Sequence, residues 1–131
     1  MAQEEKELLL KDLCARLPYG VKIAKRQYNY YCNSLTLTGI VGDRCYFNDN
    51  PRYDGDCLID EIKPYLLPIS SMTEEEQRTL DSMCNDVEMV SRLSGLKMFD
   101  KAFNWLNENH FDYRGLIEKG LAIDATGKKI Y

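Results

Sequence analysis

One imidazole, five thiols and a run of cations interleaved with tyrosines are the groups in these 131 residues with chemistry to offer. His110 lies in Asn107-Glu108-Asn109-His110-Phe111-Asp112-Tyr113-Arg114, so any Ser-His-Asp or Cys-His arrangement would have to use it. It falls at the end of a predicted helix, where a protonated imidazole is stabilised and can bond a loose carbonyl. Asp112 reads as a helix cap rather than an acid orienting that ring. Carboxylates pair at Asp54 and Asp56 and at Asp60 and Glu61. General acid-base or metal chemistry needs such pairs brought into a cleft. Asp54-Gly55-Asp56 has instead the composition of a turn, and it lacks the order of an EF-hand loop. The cysteines stand at 14, 32, 45, 57 and 84. An odd count without Cys-x-x-Cys, beside a single histidine, argues against both a disulfide framework and structural zinc. Buried free thiols in a reducing compartment are the expectation. Gly-x-Gly-x-x-Gly, Walker, Gly-x-Ser-x-Gly and His-Glu-x-x-His motifs are all missing. The expectation is a protein that is not an enzyme and holds no cofactor and no metal.

The most suggestive stretch is Lys22-Ile23-Ala24-Lys25-Arg26-Gln27-Tyr28-Asn29-Tyr30-Tyr31. Cations and aromatic rings alternating on a strand can stack on bases and neutralise phosphate. The same residues suit an exposed strand edge, where tyrosine has good β-propensity and lysine discourages further pairing. Tyrosines also build protein-binding surfaces at low entropic cost. The candidate ligand- or partner-binding residues are therefore Lys25, Arg26, Tyr28, Tyr30 and Tyr31, with His110, Tyr113 and Arg114 as a second group.

These residues need elements to position them. Leu9, Leu13 and Leu17, with Leu10 and Cys14 beside them, form the apolar face of a helix over 4–17, while Asp12 and Arg16 take other directions. Pro18 and Gly20 stop it. From Val21 the hydrophobic period becomes 2: Val21-Ile23, Leu35-Leu37, Ile40-Val41, Cys45-Phe47 and Cys57-Ile59, punctuated by turns at Gly42-Asp43 and 48–51. Four short strands suggest a small curled antiparallel sheet resembling an SH3-like barrel, closed by the first helix, with a single helical turn at Asp60-Glu61-Ile62. An open antiparallel sheet with helices on one face is the alternative. Pro64 and Pro68 predict a rigid extended connector leaving the barrel. Thr73-Glu74-Glu75-Glu76 is a capping box opening a helix to about Ser91. Gly95 breaks the pattern. Leu96, Phe99, Phe103 and Leu106 then mark a helix ending near Asn109, and a last short helix follows over 113–119. The fold class is α+β: residues 1–68 as helix plus barrel-like sheet, 69–123 as a helical unit of two to three helices packed on it, and 124–131 as a loose tail, in one domain.

Composition agrees with a globular chain: 44% apolar, 29% charged, and a net charge of −4. That charge argues against a generally basic nucleic-acid coat. Residues 18–48 nevertheless carry four cations against one acid, so one sheet face can be positive. Acids come first in Met1-Ala2-Gln3-Glu4-Glu5-Lys6-Glu7, unlike a secretory signal, and no uncharged run is apolar enough to span a bilayer. A soluble, cytoplasmic protein with no membrane partner is expected.

Three segments carry a resemblance: residues 7–21 (ELLLKDLCARLPYGV), 59–68 (IDEIKPYLLP) and 111–122 (FDYRGLIEKGLA). In this order they resemble a group of small uncharacterised proteins encoded by phages and prophages of gut bacteria. The middle, from Gln27 to Gly55, departs most from that pattern. The resemblance brings no catalytic residue with it. It implies a phage accessory protein acting in the cytoplasm of a bacterial host. The leading expectation is a protein that binds a host protein without catalysis, with a component of antiviral defence as the target. The alternatives are a module that captures a nucleotide, such as a signalling nucleotide, and a nucleic-acid-binding domain.

Overall fold

The computed structural model describes residues 1–27, 30–47, 55–85 and 92–131; for 27, 30–33, 55–56, 85 and 92–95 only the backbone is described. Helix α1 spans Gln3–Arg16 and ends in a 3-10 turn at Leu17–Tyr19, with Gly20 left-handed behind it. Strands follow as β1 (Lys22–Gln27), β2 (Tyr30–Val41), β3 (Arg44–Phe47), β4 (Gly55–Leu58) and, after a 3-10 turn at Ile59–Glu61, β5 (Ile62–Pro68). Gly42 at φ 62 makes the two-residue turn between β2 and β3, a conformation other residues adopt at a cost. Two helices, α2 (Glu74–Asn85) and α3 (Arg92–Glu108), precede two short strands, β6 (Phe111–Asp112) and β7 (Ile123–Asp124).

The sheet runs β4-β3-β2-β1-β5-β6, with β7 also paired to β5. Strands β1 to β5 are antiparallel, while β6 and β7 lie parallel to β5. The architecture is thus α+β, and the expected barrel does not close among the described strands. Its physical reason is β5. The two prolines do enforce extended backbone there, but Ile62, Pro64, Tyr65 and Leu66 are buried and the segment pairs with β1, β6 and β7. The predicted connector is the hub of the sheet: one edge is taken by β1 and the other by strands from the last third of the chain.

The main core joins α1, the strands β1 to β5 and the 116–122 turn. Leu9 and Leu13 of α1 pack on Ile23, Leu35, Leu37, Cys45, Phe47, Ile59, Ile62 and Leu66, and Leu116 and Leu121 complete the cluster. Burying this much apolar surface is the dominant favourable term of folding. In β3 the alternation is visible residue by residue: Cys45 and Phe47 face in, Arg44 and Tyr46 face out.

Several expectations change. The capping box forms as read, with the Glu76 amide donating to Thr73 Oγ1 at 3.1 Å and the Thr73 amide to Glu76 Oε1 at 3.0 Å. Gly95 lies inside α3 instead of breaking it. Residues 113–119 are turns, not a helix: Asp112 takes the Leu116 and Ile117 amides on its two carboxylate oxygens, at 2.9 Å each, and holds the loop. Nor is the last segment loose. Beyond β7, the Ala125 amide bonds the Leu66 carbonyl at 2.8 Å, and the Tyr131 hydroxyl is tied to β1 and β5. No helix among the described residues is long and apolar enough to cross a membrane.

Candidate partner-binding surface

Two buried charges fix the turn that follows α3. Asp12 and Arg16 stand four residues apart on α1, in the stripe Leu9, Asp12, Leu13, Arg16 that faces the interior. Both are fully buried, and Arg16 Nε donates to Asp12 Oδ2 at 2.8 Å. Arg16 Nη2 reaches the Phe111 carbonyl at 2.6 Å, which clamps β6 onto the helix. Burial pushes the Asp12 carboxyl above its ordinary range, against the pull of Arg16 and Arg114. Buried charges of this kind are tolerated only with partners, and each of these has one.

Arg114 joins from the other side, its Nη1 3.7 Å from Asp12 Oδ1. The Tyr113 ring lies within cation-π range of both guanidiniums, 4.9 Å from Arg114 and 5.4 Å from Arg16. Its hydroxyl donates to Asn107 Oδ1 at 2.9 Å, and its ring meets Phe103 at 5.3 Å between centroids. Trp105 stacks on Phe111 at 5.7 Å. The turn is therefore rigid and continuous with α3.

On α3 itself Ala102 and Leu106 face the fold, while Leu96, Phe99 and Phe103 face out with 66%, 51% and 46% of their surface exposed. Their spacing of three and four residues places them on one stripe. The periodicity is the one read from the sequence. Its direction is not, because only Leu106 of those four marks the buried side.

No known protein family, curated protein or solved structure matches this chain.

The candidate residues thus fall into separate places. Tyr113 and Arg114 share the turn over Asp12 and Arg16. His110 is close to them but buried, in the left-handed conformation at φ 61, with its ring stacked on Tyr131. It does not behave as a protonated helix terminus: α3 ends at Glu108, and burial together with the charge of Arg16 lowers the imidazole to about 4. Lys25 sits on β1 with its ammonium 5.8 Å from the Phe47 ring, and Arg26 beside it is exposed. Across the β1–β2 ladder Arg26 faces Tyr31 and Gln27 faces Tyr30. The side chains of Tyr30 and Tyr31, and all of Tyr28, lie outside the described residues, as do Asp54 and the side chain of Asp56. No described contact joins Lys25 or Arg26 to His110. Asp60 pairs with Lys6 at 3.4 Å, and no cluster of three metal-ligating side chains occurs among the described residues.

Cys45 and Cys57 are buried and directly opposite one another on β3 and β4. Burial, reinforced by Cys57 and Cys14, pushes the Cys45 thiol up to about 12. A thiol held protonated is a poor nucleophile. Sequence reading missed Asp12 and Arg16, and only their spacing with Leu9 and Leu13 signals them.

Proposed function

We propose that this protein is a non-catalytic binding protein that engages a host-cell protein through the outward face of α3. The observation that carries this reading is the stripe Leu96, Phe99, Phe103, which leads through a ring contact onto Tyr113 and Arg114. Exposed apolar residues that cluster in one place mark interaction sites more often than scattered ones do. Aromatic residues and arginine are the types that anchor protein interfaces. The salt-linked turn beneath supplies preorganisation, which limits the entropy lost on docking. The three phage-like segments give the context: an accessory protein in a bacterial cytoplasm whose partner belongs to the host, with antiviral defence as the target class.

The test compares tagged wild type with Phe99→Glu on host lysate. Wild type retains a partner that Phe99→Glu loses, while the circular dichroism of the two proteins coincides, since an exposed substitution shifts stability by only about 0.5 kcal/mol. Equal retention by both proteins, or none by wild type at low salt, refutes the proposal.

A second reading, capture of a nucleotide, is favoured by the backbone register, which pairs Arg26 with Tyr31 across β1 and β2. It requires a calorimetric heat with a nucleotide that Arg26→Ala removes. Nucleic-acid binding at the same place requires affinity that falls steeply with salt.

A further inference from the structure

Between β1 and β5 the register pairs Lys25 with Ile62, Ala24 with Lys63 and Ile23 with Pro64. Pro64 has no amide hydrogen, so it suits a non-hydrogen-bonded position of the ladder. The next position, Lys22 opposite Tyr65, is then a bonded one. A direct rung would run from the Lys22 amide to the Tyr65 carbonyl. Instead the Tyr131 hydroxyl sits between them, accepting from the Lys22 amide at 2.9 Å and donating to the Tyr65 carbonyl at 2.7 Å. Its ring lies flat on His110, 3.7 Å between centroids and 11° from parallel. His110 is in turn locked by its own carbonyl, which accepts the Leu67 amide at 2.8 Å.

This is a built slot: an aromatic face on one side, a backbone donor and a backbone acceptor at the end. We propose that the slot is a phenol-binding site and that Tyr131 is its resident, exchangeable occupant. Only a group that both accepts and donates at one atom satisfies the two backbone partners, which selects a hydroxyl on a flat ring over an unsubstituted ring. Tyr131 is 48% exposed, so the residue enters the slot by its tip and is not enclosed. The ligand class is a phenol carried by a small molecule or by a tyrosine side chain of a partner. This site is independent of the α3 surface, and either proposal stands if the other fails.

The Tyr131→Ala variant is titrated with p-cresol, with toluene as control, while the Lys22 amide and His110 ring are followed by NMR. Saturable p-cresol shifts at both places are expected, with toluene at least about ten-fold weaker. Wild type should need at least about ten-fold more p-cresol for the same shifts, because the tethered ring competes. N-acetyltyrosinamide separates the sources: binding comparable to p-cresol assigns the slot to tyrosine side chains, and binding of p-cresol alone assigns it to small phenols. Absence of saturable p-cresol shifts in Tyr131→Ala, or toluene binding equal to p-cresol, overturns the proposal. Should Tyr131→Ala not fold, Tyr131→Phe retains the ring and loses the hydroxyl. There p-cresol should displace the resident ring at about thirty-fold lower concentration than in wild type, the factor for the two hydrogen bonds the hydroxyl makes. No difference between Tyr131→Phe and wild type overturns the proposal equally.

Discussion

Replacing Arg16 with methionine tests whether the buried charges hold the turn after α3. The substitution keeps an unbranched apolar stem and removes the cation. It leaves the Asp12 carboxylate fully buried, with Arg114 as its one remaining cationic partner among the described residues, 3.7 Å away, and takes the 2.6 Å donor from the Phe111 carbonyl. Removing one partner of a buried pair costs about 3–5 kcal/mol because the other charge is stranded. A chain of this size has a total stability of roughly 5–15 kcal/mol. With a urea slope of about 2 kcal/mol/M, the midpoint should fall by roughly 2 M. Trp105, the one tryptophan, stacks on Phe111 and makes fluorescence a direct reporter of the clamp. The control is the double variant Asp12→Leu/Arg16→Met. It strands no carboxylate; the Phe111 carbonyl loses its donor, at about 1–3 kcal/mol, and Arg114 loses its carboxylate neighbour but keeps 19% side-chain exposure to water and its place over the Tyr113 ring. The double variant should therefore be more stable than Arg16→Met alone. A loss below about 1 kcal/mol for Arg16→Met, or a double variant less stable than the single, would refute the reasoning.

Acid should weaken the fold through His110. The imidazole lies at about 4 when folded, and an unfolded histidine titrates near 6.5, so between those values the unfolded chain binds the extra proton. Stability therefore falls as pH drops from about 6.5 to 4, by about 2 kcal/mol once solvent near the ring is allowed for. His110→Asn tolerates the left-handed backbone and removes the titration. Urea midpoints across this window should slope less for His110→Asn than for wild type, and equal slopes would exclude the assignment. Thiol labelling should divide the described cysteines by burial: Cys14 and Cys84 are exposed, Cys45 and Cys57 are buried. Peptide mass spectrometry after iodoacetamide should find the first two modified quickly and the other two only at the rate of opening. Rapid modification of Cys45 in the folded protein would contradict the packing of β3 on β4.

Signals that act over three or four residues are legible in the amino-acid sequence. The Thr73 capping box, the Gly42 turn and the limits of α1 each depend on neighbours in the chain, and each forms as read to within a residue. What is not legible depends on partners far along it. The 64–68 segment has the composition of a linker, and only β1, β6 and β7 make it a central strand. The stripe on α3 has the right period, yet an apolar stripe faces in or out according to what packs on it, and here Ala102 and Leu106 take the inner side. Asp12 and Arg16 show the limit most clearly. Their charge assigns them to solvent, while their spacing with Leu9 and Leu13 assigns them to the core. Spacing prevails because the counter-groups arrive from the far end of the chain: the carbonyl that Arg16 bonds is 95 residues away. A charged pair at core spacing on a helix is therefore a statement about the rest of the molecule. It requires a polar segment elsewhere that comes to meet it, and in this protein that segment is 111–114, the turn on which the proposed binding surface rests.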